Sequence, residues 1–326
     1  MQIKTSFTLI ALLFIACSKE DNSTKLQTGT LDNGIRSDTS KIPLNDLGTG
    51  TFRGYTGGLY PGGANKPSGQ YAADLLAVSN LIVPIDKSGN PSSSTGKIVF
   101  ISLGASVGGK NMKELIRKTA NNPATNPKLL LLNCNQGAGF ASLNSIMNPN
   151  DSYWDRVHET ITNKTSYRQV QVIYLETDDS ARVRWPDKPK IVSKNIETCL
   201  RVFKKKFPNL KLVYVLGRTR TFGYLRYYNR EPGSYYFGWA CKWAIEDQIN
   251  RVPGTEYKGP NAVAPMITWG FYEWADSLPR KTDRFYWRSS QTADGLHANE
   301  VGQDTLTTRF QKFLLTDQYA SMWYAR

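Results

Sequence analysis

Lys97-Ile98-Val99-Phe100-Ile101-Ser102-Leu103 runs directly into Gly104-Ala105-Ser106-Val107-Gly108-Gly109. A short apolar run without polar alternation is the pattern of a strand covered on both faces. The glycine-flanked serine that follows reads as a strand-to-helix turn, leading to a helix around Met112 to Thr119. The same unit recurs along the chain. Strands are expected at Lys128 to Asn133, Val170 to Leu175, Lys211 to Leu216 and Ala262 to Thr268. Helical patterns lie between or after them, near Tyr153 to Thr162, Ile191 to Phe207, Gly238 to Asn250 and Glu300 to Leu315. Strands that alternate with helices make a parallel sheet with helices on both faces, a three-layer α/β/α fold around five parallel strands. In such a sheet, sites form at the carboxyl ends of the strands. Ser106 stands at one of those ends.

Outward from this body, the amino-terminal end has a different character. Met1 to Cys17 reads as a targeting segment, with Lys4 as its positive region and Phe7 to Ala16 as an apolar stretch too short to span a bilayer. Small residues before Cys17 form a bacterial lipobox pattern, so residues 1–17 are expected to be a lipoprotein signal with Cys17 as the lipidated residue. The alternative is an ordinary cleaved signal with an incidental cysteine. Ser18-Lys19-Glu20-Asp21 resembles a surface-export tag. This reading gives a cell-envelope protein on the outer membrane, periplasmic or surface-exposed, held to the membrane by its anchor. Residues 18–51, rich in Ser, Thr, Asn, Asp and Gly, are expected to be a flexible tether. Residues 52–326 form the domain, with Arg53 to Ser68 as an ordered loop packed on it. That length suits one large α/β unit.

The formal net charge is +14. The basic residues are scattered, and no nucleic-acid-binding signature occurs, so a nucleic-acid partner is not expected. Lys204-Lys205-Lys206 falls on the solvated face of a helix. Cys134, Cys199 and Cys241 sit in apolar segments, which favours buried thiols, although one disulfide among them is chemically open.

The chain has two histidines. His158 lies in a charged helical stretch and reads as a surface residue. His297 lies in Asp294-Gly295-Leu296-His297-Ala298-Asn299-Glu300-Val301-Gly302, just before the last helix. An Asp three residues before a His can fix the imidazole tautomer, leaving the other ring nitrogen to take a proton from a serine. The bland alternatives are an N-capping Ser106 and a loop His with a capping Asp. With so few histidines, no metal site is expected and no cofactor is required.

The Gly-x-Ser turn after the first strand, together with the late Asp-Gly-x-His-x-Asn-x-x-Gly block, resembles the SGNH/GDSL hydrolase superfamily. The resemblance runs from about Thr56 to the carboxyl terminus. It is closest to a bacterial branch sharing Gly57-Gly58-Leu59-Tyr60-Pro61 and Trp243-Ala244-Ile245-Glu246-Asp247-Gln248-Ile249. Ala105 departs from the acidic residue usual beside the serine. The resemblance implies an SGNH (flavodoxin-like) fold with Ser106 as nucleophile, His297 as base and Asp294 orienting the His. It further implies an oxyanion hole from the Ser106 N–H, a glycine after strand two and an Asn after strand three. Gly137 matches that glycine best, with Gly139 as the second choice. The Asn is replaced by Asp178 or Asp179, in Glu176-Thr177-Asp178-Asp179. A carboxylate there would repel an oxyanion, whereas an amide stabilises it. Arg218 and Arg220, after strand four, are candidates for binding an anionic or hydroxyl-rich substrate, or equally for a structural ion pair. Trp269, Phe271, Tyr272 and Trp274 follow strand five. They read mostly as packing, with one or two suited to stacking on a sugar at the rim. The activity implied is ester hydrolysis on an acylated carbohydrate, such as an acetylated one, or another ester. The rival is a catalytically weak or inactive relative that binds glycans.

Overall fold

The computed structural model describes residues 40–137, 142–177, 183–223 and 231–326. Five parallel strands form the central sheet: β1 (Ile98–Gly104), β2 (Leu129–Asn133), β3 (Val170–Glu176), β4 (Leu212–Val215) and β5 (Met266–Trp269), in the spatial order β2-β1-β3-β4-β5. Ile101 pairs with Leu132 on one side and with Ile173 on the other, and Val213 pairs with Ile267 at the far side of the sheet. β1, β3, β4 and β5 are buried at every position. That follows from helices lying on both faces, which leaves no solvent side for polar residues to alternate toward.

Six helices of ten residues or more occur among the described residues: α1 (Gly69–Asn80), α2 (Ser106–Ala120), α3 (Tyr153–Thr162), α4 (Asp187–Lys206), α5 (Gly233–Ile249) and α6 (Glu300–Thr316). α2 and α6 pack together on one face, where Lys118 of α2 bonds Asp304 of α6 at 2.7 Å. The Phe310 ring of α6 meets Phe100 of β1 and Tyr174 of β3 edge-on. α3, α4 and α5 cover the other face, where Trp154 packs on Phe203 and Lys194 bonds Asp247. The strand order reverses direction between β1 and β3, so the crevice outside their carboxyl ends is where a site belongs.

α1 lies along the outer edge of β5. The Tyr71 hydroxyl donates to the Ile267 carbonyl, and the Ile267 N–H donates to Gln248 Oε1 at 2.9 Å. The backbone groups that face outward at this edge are therefore taken up by side chains. None of the helices is long and apolar enough to cross a membrane, among the described residues.

The tether expected to reach Thr51 ends before it. A single helical turn at Leu44–Leu47 is already part of the body, and Leu44 is 0 % exposed in the core. Asp46 beside it looks solvated in sequence but is satisfied over long range: it accepts the N–H groups of Lys281 and Thr282 at 2.7 and 2.9 Å. A hairpin, Thr51–Phe52 with Tyr55–Thr56, follows. Phe52 and Tyr55 pack on Trp185, Trp239 and Trp243, which fixes the hairpin to the α5 side. Arg53 to Ser68 is packed as expected, with Leu59 and Tyr60 buried. Cys17 and residues 18–39 lie outside the described residues.

Candidate active site

β1 ends at Gly104 with φ +141, where a Cβ would stand 1.6 Å from the Glu176 carbonyl oxygen. Only glycine allows the two strand ends to approach this closely. The Ala105 N–H then donates to that same Glu176 carbonyl at 3.1 Å. Ser106 is the first residue of α2, and the first helical hydrogen bond runs from Gly109 N–H to the Ala105 carbonyl. The N–H groups of Ser106, Val107 and Gly108 thus precede the intrahelical ladder and point out of the helix start, where they favour negative charge.

The late Asp/His block reaches this turn from the other side. Asp294 Oδ1 accepts the backbone N–H of Leu296 at 3.0 Å and of His297 at 2.7 Å, which folds the loop around the carboxylate. Asp294 Oδ2 lies 2.7 Å from His297 Nδ1, and His297 Nε2 lies 2.8 Å from Ser106 Oγ. Burial opposes ionisation of Asp294. The hydrogen bonds from the His297 ring and from the two backbone N–H groups outweigh it and hold the carboxyl down to about 2. An ionised carboxylate only accepts, so Nδ1 carries the ring proton. In the neutral ring Nε2 is then an acceptor, and the Ser106 hydroxyl donates to it. The row Ser–His–Asp is a proton path ready to take the hydroxyl proton as Oγ becomes a nucleophile.

Three further residues of the block have structural tasks. Gly295, at φ +83, would put a Cβ 1.9 Å from the Phe222 carbonyl oxygen, and Phe222 N–H donates to the Gly295 carbonyl at 2.8 Å. Asn299 caps α6 by accepting Gly302 N–H at 3.0 Å. A Cβ on Gly302 would collide with the Gln291 carbonyl at 2.1 Å. The histidine loop is therefore tied both to the helix after it and to the segment after β4.

That segment holds the two arginines. Arg218 is 4 % exposed. Its Nε lies 3.5 Å from Glu176 Oε1, and its Nη1 donates to the Thr177 carbonyl at 3.3 Å. The ion-pair alternative describes it, and a substrate-facing role does not, because the guanidinium is enclosed by protein. Arg220 pairs with Asp276 and lies over the Phe222 ring, with its carbonyl accepting Trp287 Nε1 at 3.1 Å. It braces the loop beside the histidine. Trp269 at the end of β5 and Phe271, Tyr272 and Trp274 after it are all buried, so none stands at a rim as a stacking platform.

Gly137 is the last described residue before residues 138–141, and no described residue lies within 4 Å of where its Cβ would be. Gln136 N–H donates to the Gly104 carbonyl at 3.0 Å, so Gly137 is one residue from a bond to the nucleophile turn. Asp178, Asp179 and Gly139 lie outside the described residues. His158 is exposed and stacks on Tyr167, away from Ser106. Cys134, Cys199 and Cys241 are free and buried, and burial pushes the Cys134 thiol up to about 12. No group of three His, Cys, Asp or Glu side chains forms a metal cluster among the described residues.

Two contributors escape a reading of sequence alone. Asn135 Nδ2 donates to the Ala105 carbonyl at 3.0 Å, tying the loop after β2 to the serine turn. Glu176 is fully buried beneath the same turn. The available signal was a carboxylate closing an otherwise apolar strand. A separate cavity of about 310 Å³, between Tyr60, Trp269, Phe271, Asp283 and Tyr319, contains none of the Ser–His–Asp residues.

No protein-family model matches the chain. No curated protein matches it either. Among solved structures, a GDSL-like lipase from Bacteroides thetaiotaomicron VPI-5482 is similar over 74% of this chain and 94% of its own, at 10% identity and a TM-score of 0.36. At that identity and score the likeness carries no chemistry, and the site stands on the hydrogen-bonded row from Ser106 to Asp294.

Proposed function

We propose that the protein is a serine ester hydrolase of the SGNH type. The observation that carries this reading is one continuous hydrogen-bonded row, Ser106–His297–Asp294, placed at a helix start at the carboxyl end of β1. Ser106 Oγ would attack an ester carbonyl while its proton passes to His297 Nε2. The tetrahedral oxyanion would face the N–H groups at the start of α2, with Gly137 as a second donor. Collapse would expel the alcohol, which takes the proton from His297 and leaves an acyl-serine. Water, deprotonated by the same His297, would then release the acid and restore Ser106.

The finer reading is an acylated carbohydrate as substrate, such as an acetylated one, at the cell envelope, with the chain anchored through lipid on Cys17. It rests on the lipobox pattern and the family resemblance. Lipid on Cys17 is tested by mass spectrometry of the membrane fraction, with Cys17→Ala expected to release the protein.

The test of chemistry is hydrolysis of an acetylated oligosaccharide together with labelling by a fluorophosphonate. Ser106→Ala and His297→Ala should each abolish turnover, with the double variant no worse, because the two groups act as a unit. Turnover that survives Ser106→Ala would sink the assignment. A second reading, a glycan-binding protein with little activity, is favoured by the carboxylates at Asp178 and Asp179 where the resemblance calls for an amide. Wild-type protein that binds glycans and cleaves no ester would favour it. If the oxyanion site is merely weakened, Asn at the position facing the pocket should raise activity by about 1–3 kcal/mol of transition-state stabilisation.

A further inference from the structure

Two glutamates and one arginine are buried together just below the serine turn. Glu176 ends β3, Arg218 follows β4 and Glu273 follows β5, and all three are enclosed by protein. A cluster of two carboxyls and one guanidinium in a low-dielectric site cannot hold all three charges cheaply. The geometry separates the two acids. Arg218 faces Glu176 at 3.5 Å, whereas Glu273 has no cation within ion-pairing distance among the described residues. Glu176 also touches the nucleophile helix: a Cβ on Gly108 would stand 2.7 Å from Glu176 Oε2 and 2.8 Å from Asn135 Nδ2. Its carbonyl accepts Ala105 N–H, and Arg218 holds the next carbonyl, that of Thr177.

We propose that the Glu176–Arg218 ion pair is a positioning device, with Glu176 as its charged acid and Glu273 as its neutral one, that locks the serine turn to the end of β3. The inference rests on Ser106 being the nucleophile. The pair thus holds the carboxyl end of β3 against the serine turn. Ionisation states are consistent with this: burial first, then the Glu176 charge, push the Glu273 carboxyl well above the usual carboxylate range against the pull of Arg218. The bare Cα of Gly108 is what lets the carboxylate sit against the helix. Glu176 and Arg218 touch no substrate, so neither is a catalytic residue.

The experiment uses the full chain and compares Glu176→Gln, Glu273→Gln and Gly108→Ala. Glutamine keeps the shape and removes the charge. Alanine at 108 suits a helix better than glycine does, so this variant should fold, while its methyl displaces the carboxylate. Three quantities are measured: kcat and KM on p-nitrophenyl acetate, the rate of fluorophosphonate labelling, and amide hydrogen exchange across residues 104–109. Glu176→Gln and Gly108→Ala should lower kcat and the labelling rate roughly 10- to 100-fold by misplacing the nucleophile. KM should stay within about two-fold. Exchange across the serine turn should rise about ten-fold in both. Glu273→Gln, exchanging one neutral buried group for another, should leave all three at the wild-type level.

Wild-type kcat and exchange in both Glu176→Gln and Gly108→Ala would overturn the proposal, as would a loss confined to Glu273→Gln. Should Glu176→Gln fail to fold, Gly108→Ala decides alone. Should wild-type protein neither turn over ester nor take the label, the reading of function fails. The positioning role is then judged by exchange alone, and is overturned if exchange does not rise.

Discussion

Asp294 keeps almost half of its side chain in solvent and yet its carboxylate accepts three hydrogen bonds. Its carboxyl, near 4 in an unfolded chain, is drawn down to about 2 by the hydrogen bonds it accepts in the fold. The depressed value fixes the sign of its linkage to stability. The contribution is fully present above about pH 4 and is lost as pH falls through about 2, because the unfolded chain takes up the proton first. Solvent screening keeps its size small. In Asp294→Asn the melting temperature should therefore fall less steeply between pH 4 and pH 2 than in the parent. The same variant should lose about 10²- to 10⁴-fold in turnover, since an amide can present its N–H to Nδ1 and stabilise the wrong tautomer. A carboxyl-carbon NMR titration centred near 4 would contradict the geometry.

The loop between β5 and α6 works as an element only because Gly295 adopts φ +83 against the Phe222 carbonyl. Gly295→Ala forces both a disfavoured backbone and a clash, at about 1–3 kcal/mol, and should shift His297 away from Ser106. Urea melts should show the loss of stability, and the labelling rate of Ser106 should fall more than the melt explains. At this scale the sequence was most informative where one force dominates. Four of the five strands could be read because burial on both faces leaves a continuous apolar run, and half-buried β2 from its run of leucines. Asp294 and His297 could be read because local spacing sets their geometry, whereas Ser106 meets His297 through the fold, across 191 positions. α1 was not anticipated: it buries Tyr71, Leu75 and Ser79, too thin a stripe to stand out. β5 begins at Met266, not Ala262, because Pro265 just before it offers no N–H to a ladder. Arg218 was legible as a candidate for a structural ion pair, but its partner was not, since Glu176 lies 42 positions earlier and only the parallel pairing of β3 with β4 brings them together.

Across the whole molecule the amino-terminal segment is a structural member. Leu44 sits in the core and Phe52 sits among Trp185, Tyr235 and Trp239. Leu44→Ala should cost about 2–5 kcal/mol, the range for a leucine removed from a core that cannot collapse around the gap. A denaturant midpoint equal to the parent's would mean that this segment contributes nothing. The same segment lies against Lys281 and Thr282, which stand between β5 and the histidine block. The side-chain seal over β5 bears on what happens when the molecule fails. Tyr71 and Gln248 occupy backbone groups that would otherwise be a template for another chain. If α1 lifts away before the rest unfolds, β5 becomes a sticky edge, and copies can add to one another strand by strand. Loss of native protein on heating would then proceed by aggregation, at a rate that depends on protein concentration.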